Sequence, residues 1–399
     1  MVASRAAARP LRSPRGAERS TRPRIDLERR PILVFWETTR ACLLACRHCR
    51  ASAIPRPLPG ELSTEEGERL IESLTRFGRP FPVLVLTGGD VLMRADLVRL
   101  ATYASELGLP VAVSPSVTPR LEPRVLAALR QAGVKVASIS LDGASAATHE
   151  GLRGIEGHLP ATLEAIRLLR EHGFTVQVNT VVRPENVEEL PEIAALVHAG
   201  GARIWEVFFL VRVGRGSRLR ELAPHENEDV CHFLVDASRY GFVVRTVEAP
   251  FFRRVVAWRG EGRACETGPL YERLATRLRA LLGEPSAESR AQTKGTRDGK
   301  GIVFVSYDGD VYPAGFLPLA LGNVRRRSLP DIYQGSPLLR EIRAARFHGR
   351  CGACEYADLC GGSRARAYAA SGDPLGEDPA CPYAPVGAAR RDDGLPRGA

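Results

Sequence analysis

The chain contains no run of the roughly eighteen apolar residues that a membrane span needs, and no apolar middle region of the kind that marks a secretory signal. These absences set the expectation of a cytoplasmic location with no membrane partner. Strong charge is also missing from the body of the chain. Of the net +10, residues 1–30 supply +6, from nine arginines against Glu18, Asp26 and Glu28, and the remainder holds only +4. That balance gives no reason to expect a nucleic-acid partner. The Arg, Pro, Ala and Ser content of residues 1–30 reads as a disordered basic tail rather than a nucleic-acid arm or a targeting peptide.

What is present is ample apolar material, 44% of 399 residues, enough for one large core or two modest ones. From Pro31 to about Leu210, short β-branched runs alternate with longer amphipathic segments, the pattern of βα units on a parallel sheet. Six runs are expected as strands: Ile32 to Trp36, Val83 to Thr87, Val111 to Ser114, Val136 to Leu141, Thr175 to Val182 and Ile204 to Leu210. Between them the spacing predicts helices over Thr64 to Phe77, Asp96 to Leu107, Pro123 to Gln131, Leu159 to His172 and Val187 to Ala199. Gly108, Gly133, Gly173 and Gly200 stand where helices need terminating glycines. Six such units form an open α/β sheet or an incomplete barrel, and in either case functional residues belong at the carboxyl ends of the strands.

Beyond a predicted helix over Tyr271 to Leu282, the polar stretch Gly283 to Gly301 reads as a mobile linker. Asp308-Gly309 between Ile302 to Val305 and Val311 to Tyr312 signals a hairpin, and a further helix is expected over Leu329 to Arg346.

Nine cysteines in a reducing compartment point to metal or catalysis rather than disulfides. Cys42, Cys46 and Cys49 form a CxxxCxxC loop directly after the first strand. Three thiolates suit three irons of a 4Fe-4S cube and leave the fourth iron open to a ligand. The alternative is a zinc site borrowing His48, or a chance cluster of buried thiols. Cys351, Cys354, Cys360 and Cys381 supply four thiolates, which suit structural zinc or a closed 4Fe-4S cluster equally well on spacing alone. Cys231 and Cys265 stand apart and are expected to be small buried hydrophobes, although Cys265 is also read as a former cluster ligand or a substrate-site thiol.

The loop Trp36-Glu-Thr-Thr-Arg-Ala-Cys-Leu-Leu-Ala-Cys-Arg-His-Cys, with the glycine-rich turn Thr87-Gly88-Gly89-Asp90 after the second strand, resembles the radical S-adenosylmethionine (SAM) superfamily. The late cysteines are similar to those of the branch carrying a C-terminal SPASM-type auxiliary-cluster domain. The resemblance implies a partial (β/α)6 TIM-like barrel with a small cysteine-rich iron-sulfur domain. It divides the chain into a barrel over 31–240, a linker and helical bridge over 241–300, a SPASM-type module over 301–386, and tails over 1–30 and 387–399. It implies a cluster held by Cys42, Cys46 and Cys49, with SAM chelated at the open iron and cleaved by one electron. The second cysteine set then takes an auxiliary 4Fe-4S cluster. The inner auxiliary cluster of a full SPASM module is expected to be absent, since Ala314 and Ser363 stand where relatives have cysteine.

By the same resemblance His48 lies against the SAM adenine, and Gly88, Gly89 and Asp90 meet its amino group. Ser114 and Ser116 hold its ribose or carboxylate. In Ser138-Ile-Ser-Leu-Asp142-Gly143, Ser140 and Asp142 make polar contacts to SAM, with Arg153 and Asn179 following; for these last two, structural bracing is an equal alternative. Cys46-Arg-His-Cys-Arg-Ala-Ser-Ala53 and Cys360-Gly-Gly-Ser-Arg-Ala-Arg-Ala-Tyr368 resemble the tetrapyrrole-modifying subgroup, whose members make heme or heme d1 by removing side-chain carboxylates or acetates. Arg212, Arg215, Arg364 and Arg366 are then expected to meet porphyrin carboxylates, or else to form surface ion pairs. Maturation of a ribosomal peptide is the second enzymatic reading and a non-catalytic electron carrier a third. Either enzyme needs a reductase, flavodoxin or ferredoxin as electron donor.

Overall fold

The computed structural model describes residues 25–285, 287–293 and 295–386, so most of the expected N-terminal tail and all of the C-terminal one lie outside the described residues. Seven βα repeats open the chain. Their strands are β1 (Leu33–Glu37), β2 (Val83–Thr87), β3 (Val111–Val113), β4 (Val136–Ser140), β5 (Thr175–Val182), β6 (Ile204–Phe209) and β7 (Val243–Val247), paired in parallel in chain order. The helices between them are α1 (Thr64–Thr75), α2 (Leu97–Glu106), α3 (Pro123–Gln131), α4 (Ala146–Arg153), α5 (His158–Glu171), α6 (Leu190–Ala199) and α7 (Pro224–Ala237). Then come α8 (Phe252–Gly260) and α9 (Pro269–Leu282).

The six expected strands are all present, and the sheet carries more. β7 was missed because Val-Val-Arg-Thr-Val is short and carries a charge at its centre. On the far side of β1 lies β9 (Gly301–Val305), also parallel to it, after the two-residue β8 (Arg297–Asp298). β10 (Asp310–Tyr312) folds back on β9 through the Asp308-Gly309 turn and pairs with β11 (Gly322–Asn323). The cysteine-rich module therefore shares one continuous sheet with the barrel.

Alternation sets the two faces of this sheet. In β6, Trp205, Val207 and Phe209 are buried against helices, and Ile204, Glu206 and Phe208 face the other way. Trp205 meets the rings of Phe233 and Phe242 edge-on and donates its indole N–H to Thr180 at 2.9 Å. At α1, Ser63 and Glu66 form a capping box, and Leu70, Ile71 and Leu74 turn to the core.

Several local expectations are corrected. The segment 283–301 is no mobile linker: Gln292 donates its backbone N–H to Val244 at 2.9 Å, and Ala291 bridges to Val244, so this strip covers the free edge of β7. Its polar composition reflects an edge-covering strip with water on its other side. Residues 25–30, counted with the tail, are tied down: Leu27 O accepts from Tyr333 at 2.8 Å and Glu28 O from Arg343 at 2.9 Å. The single helix over 329–346 is two, α10 (Leu329–Gly335) and α11 (Pro337–Arg343), because Pro337 cannot continue the first and Ser336 caps the second. They precede α12 (Gly349–Ala353) and α13 (Arg364–Ser371). After α6 the left-handed residue is Gly201, with φ 61°, and Gly200 stays helical. No helix among the described residues is long and apolar enough to cross a membrane.

Candidate functional site

The first cysteine loop leaves β1 and is clamped from several sides. Cys42 N–H donates to Ile54 O at 2.8 Å and Arg47 N–H to Leu152 O at 2.9 Å. Arg215 donates to Cys46 O and Ala53 O, both at 2.8 Å. Cys42, Cys46 and Cys49 fall in one buried cluster with Leu44 and Ala53. Each sulfur accepts one N–H: Cys42 from Leu44 at 3.4 Å, Cys49 from Ala53 at 3.4 Å, Cys46 from the Arg153 guanidinium at 3.6 Å. Donors aimed at sulfur favour thiolate, the ligand form. Burial, chiefly, with the neighbouring Asp90 and Cys46, pushes the Cys42 thiol up, so its deprotonation would go with metal binding.

Gly88 and Gly89 lie against this loop. A Cβ on Gly89 would sit 2.4 Å from Ala41 O, and one on Gly88 2.6 Å from Thr39 O. Gly89 and Asp90 donate their N–H groups to Thr39 O and Ala41 O, each at 2.7 Å. The close approach that these glycines permit is therefore to the cysteine-loop backbone. Asp90 is fully buried, and its carboxylate accepts from Leu92 N (3.1 Å), Ser116 N (3.2 Å) and Thr118 Oγ1 (2.9 Å). It braces the turn after β2 to the loop after β3, and has no exposed face toward a ligand. Ser116 Oγ donates to Gly89 O at 3.1 Å and lies 3.7 Å from Cys42 Sγ; Ser114 and Ser138 share a hydroxyl hydrogen bond of 2.6 Å.

Asp142 is fully buried and paired with Arg153, and accepts from Val181 N at 2.8 Å. Burial works to raise its pKa, but the Arg153 charge and these donors hold the carboxyl below its usual value. Ser140 and Asn179 are direct register partners on β4 and β5, half-buried on the face opposite the helices. His48 has its Nδ1 buried without a hydrogen-bond partner, and burial lowers its pKa to about 4, so the ring is neutral. An orphaned ring nitrogen on the cysteine loop fits a site built for a ligand.

The sequence reading missed His149 and His158. Asp142 N–H donates to His149 Nδ1 (3.1 Å), His149 Nε2 faces His158 Nδ1 (2.8 Å), and His158 Nε2 reaches Val117 O (3.1 Å). Because the first link fixes His149 Nδ1 as acceptor, each later nitrogen takes a defined role and both rings are neutral. Isolated histidines in α4 and α5 carry no motif that would have flagged them.

In the second module Cys351, Cys354, Cys360 and Cys381 line one small cavity with Arg254, Tyr356 and Tyr383. Cys354, Cys360 and Cys351 accept N–H groups from Tyr356, Gly362 and Asp378, each at 3.4 Å. Burial pushes Cys360 up to about 12 and Cys381 to about 11. Among the described residues no three His, Cys, Asp or Glu side chains converge as ligands to a single ion would. Ala314 is buried, and Ser363 caps α13 and donates to Glu248. Cys231 is fully buried in α7, as expected; Cys265 is half-exposed, contrary to the expectation of burial, and takes no part in the cavity. All nine cysteines are unpaired.

Three of the four arginines expected at a substrate are structural. Arg364 is fully buried on the carbonyls of Gly362, Pro374 and Gly376. Arg366 pairs with Asp378 and reaches Leu210 O, and Arg215 holds the cysteine loop. Only Arg212 is exposed, at the end of β6. Beside it lies a small apolar cluster of residues from the barrel and the module: Val211, Leu317 and Ala365 are buried, with Val213, Phe316, Leu319 and Tyr368 partly buried against them.

A parallel βα sheet carrying a three-thiol loop after β1, followed by a four-thiol cavity, matches what comparison with known proteins finds. Residues 36–197 match the radical SAM superfamily and residues 297–355 the SPASM iron-sulfur cluster-binding domain. The chain belongs to the radical SAM superfamily, and its cofactors are a 4Fe-4S cluster, SAM and auxiliary iron-sulfur in the SPASM domain. Among curated proteins it is 35% identical over 363 residues to the AdoMet-dependent heme synthase of Methanosarcina barkeri, covering 90% of this chain and 99% of that one. It is 31% identical over 358 residues to the mycofactocin maturase of Mycobacterium ulcerans, covering 88% of each. Among solved structures, SuiB of Streptococcus suis bound to S-adenosylmethionine superposes with a TM-score of 0.63 at 14% identity, over 89% of this chain and 78% of that one.

Proposed function

We propose that this enzyme removes carboxylate from side chains of an iron tetrapyrrole. The observation that carries the reading is the full-length similarity to a heme synthase, higher in identity than that to the peptide maturase. The partly exposed apolar side chains of Phe316, Leu319 and Tyr368 are compatible with it, since a flat macrocycle buries well against aromatic and aliphatic edges.

When bound, the first cluster and SAM supply a 5′-deoxyadenosyl radical that takes a hydrogen atom from the substrate side chain. Conversion of a propionate to a vinyl group releases carbon dioxide, that hydrogen atom and one electron, which passes to an acceptor. The residues of this chain orient and shield. Cys42, Cys46 and Cys49 would hold the first cluster, with Arg153 and two backbone N–H groups on their sulfurs. His48, Ser140 and Asn179 are the open polar positions around SAM. Gly88, Gly89 and Asp90 fix the loops that carry them. Cys351, Cys354, Cys360 and Cys381 would hold the auxiliary cluster. A flavodoxin or ferredoxin, or a reductase, supplies the electrons.

The test is an anaerobic assay of reconstituted enzyme with SAM, reductant and an iron tetrapyrrole bearing propionates. Loss of carbon dioxide from the tetrapyrrole together with 5′-deoxyadenosine supports the reading. 5′-Deoxyadenosine formed with no mass change in any iron tetrapyrrole, but with modification of a short precursor peptide, overturns it in favour of peptide maturation.

A further inference from the structure

The barrel lumen holds a polar row that the cofactor motifs leave unused. β6 reads Ile-Trp-Glu-Val-Phe-Phe and β7 Val-Val-Arg-Thr-Val, one charged residue in each otherwise mostly apolar strand. Alternation turns both away from the helices. The register then aligns them: Ser140 lies opposite Asn179, Asn179 opposite Glu206, and Glu206 opposite Arg245, one rung crossing four strands. Ser140 and Asn179 are the positions assigned above to SAM, so the rung runs from the cofactor end of the lumen to a charged end.

That charged end is organised. Gln177 Nε2 donates both to Asn179 Oδ1 at 2.8 Å and to Glu206 Oε2 at 2.9 Å. Arg245 donates Nε and Nη2 to Gln292 Oε1, at 3.0 and 2.9 Å. Gln292 in turn hangs from the edge of β7 by its backbone N–H. A guanidinium oriented by a neutral amide keeps its charge and its aim, and Arg245 Nη1 has no partner among the described residues. No ion pair within 4.0 Å joins Arg245 to Glu206, although they face each other across adjacent strands. Burial pushes the Glu206 carboxyl upward, against the pull of the Arg245 charge and the Gln177 hydrogen bond. Putting an incompletely paired charge inside a barrel costs stability, and apolar residues would fill the same space at less cost.

The geometry points to the Glu206–Arg245 rung as a carboxylate subsite, in which Arg245 holds one acidic side chain of the substrate in line with SAM. This rests on the proposed function and names the residue that would select the reacting carboxylate. Arg245 has the fixed fork that carboxylate recognition uses, and Glu206 beside it restricts the site to a single anion.

The test is anaerobic absorption titration of the reconstituted holoenzyme with iron coproporphyrin III, which bears propionates, and iron octaethylporphyrin, which bears none. Arg245→Gln should weaken coproporphyrin binding by about 10-fold or more, leaving SAM affinity and octaethylporphyrin binding unchanged, and Arg245→Lys should recover part of the loss. Glu206→Gln, which keeps the shape and removes a competing carboxylate, should bind coproporphyrin as tightly as the wild type or tighter. Unchanged coproporphyrin affinity in Arg245→Gln overturns the subsite while the proposed function stands. Weakened binding in Glu206→Gln overturns it as well, and serves if Arg245→Gln folds poorly. A wild-type enzyme that binds neither porphyrin overturns both readings.

Discussion

Arg153 stands between Cys46 and Asp142, with Nη1 3.6 Å from the cysteine sulfur and Nη2 on the buried carboxylate. It comes from the last turn of α4, whose carboxyl end also takes the N–H of Arg47, so helix and cysteine loop are fixed together. One cation thus holds a buried carboxylate and the Cys46 sulfur together. Arg153→Met should leave Asp142 buried and unpaired, at a cost of about 3–5 kcal/mol, and lower iron retention at the first cluster. Thermal melts and iron analysis of the anaerobic protein measure both. An unchanged melting temperature would show that the pair has no structural role.

Gly89→Ala should disable the first cluster without touching the second. The added methyl would press on Ala41 O at 2.4 Å, and backbone has no side-chain rotation by which to yield. The loop carrying Cys42 must then shift, and iron content should fall by about half while the SPASM signal persists. Resolving the two clusters by electron paramagnetic resonance checks this, and full iron loading with both signals intact would refute it.

Much of this was legible in the chain itself, for identifiable reasons. Strands β1 to β6 announce themselves because buried parallel strands are β-branched and bounded by turn residues, and the cysteine spacings are local. Pairings between distant segments were hidden. Nothing local says that Gly301–Val305 lies beside β1, or that the polar strip around Ala291 seals the edge of β7. The direction of a polar side chain was equally invisible. Asp90, taken for a ligand contact, turns inward as a brace, and Arg364 and Arg366 are buried struts, whereas Glu206 and Arg245 face the lumen.

The His149–His158 chain predicts a pH dependence of stability. Burial, chiefly, depresses both rings, His149 to about 4, from an ordinary value near 6.5. The unfolded chain therefore binds protons that the folded one refuses, so stability is full above about 6.5 and is lost as pH falls toward 4. For His149 the loss amounts to about 3 kcal/mol. Chemical denaturation between those pH values should show it, and His149→Gln, which removes the titrating ring, should flatten the slope. An equally steep slope in that variant would assign the dependence to other groups.

The two cysteine sets should separate cleanly by substitution. Cys42→Ala removes one of the three thiols proposed to hold the first cluster, at a site with no spare thiol, since the remaining cysteines lie in α7, near Arg263 or around the second cavity. SAM cleavage should vanish while the auxiliary cluster remains. Cys354→Ala should do the reverse, removing iron from the SPASM domain while 5′-deoxyadenosine still forms on reduction, because Cys42, Cys46 and Cys49 keep their donors. A full turnover assay would then lose product but not SAM cleavage, as expected if the second cluster serves the electron leaving the substrate. SAM cleavage retained in Cys42→Ala would remove the first cluster from the chemistry, and an unchanged iron content in Cys354→Ala would remove that cysteine from the second.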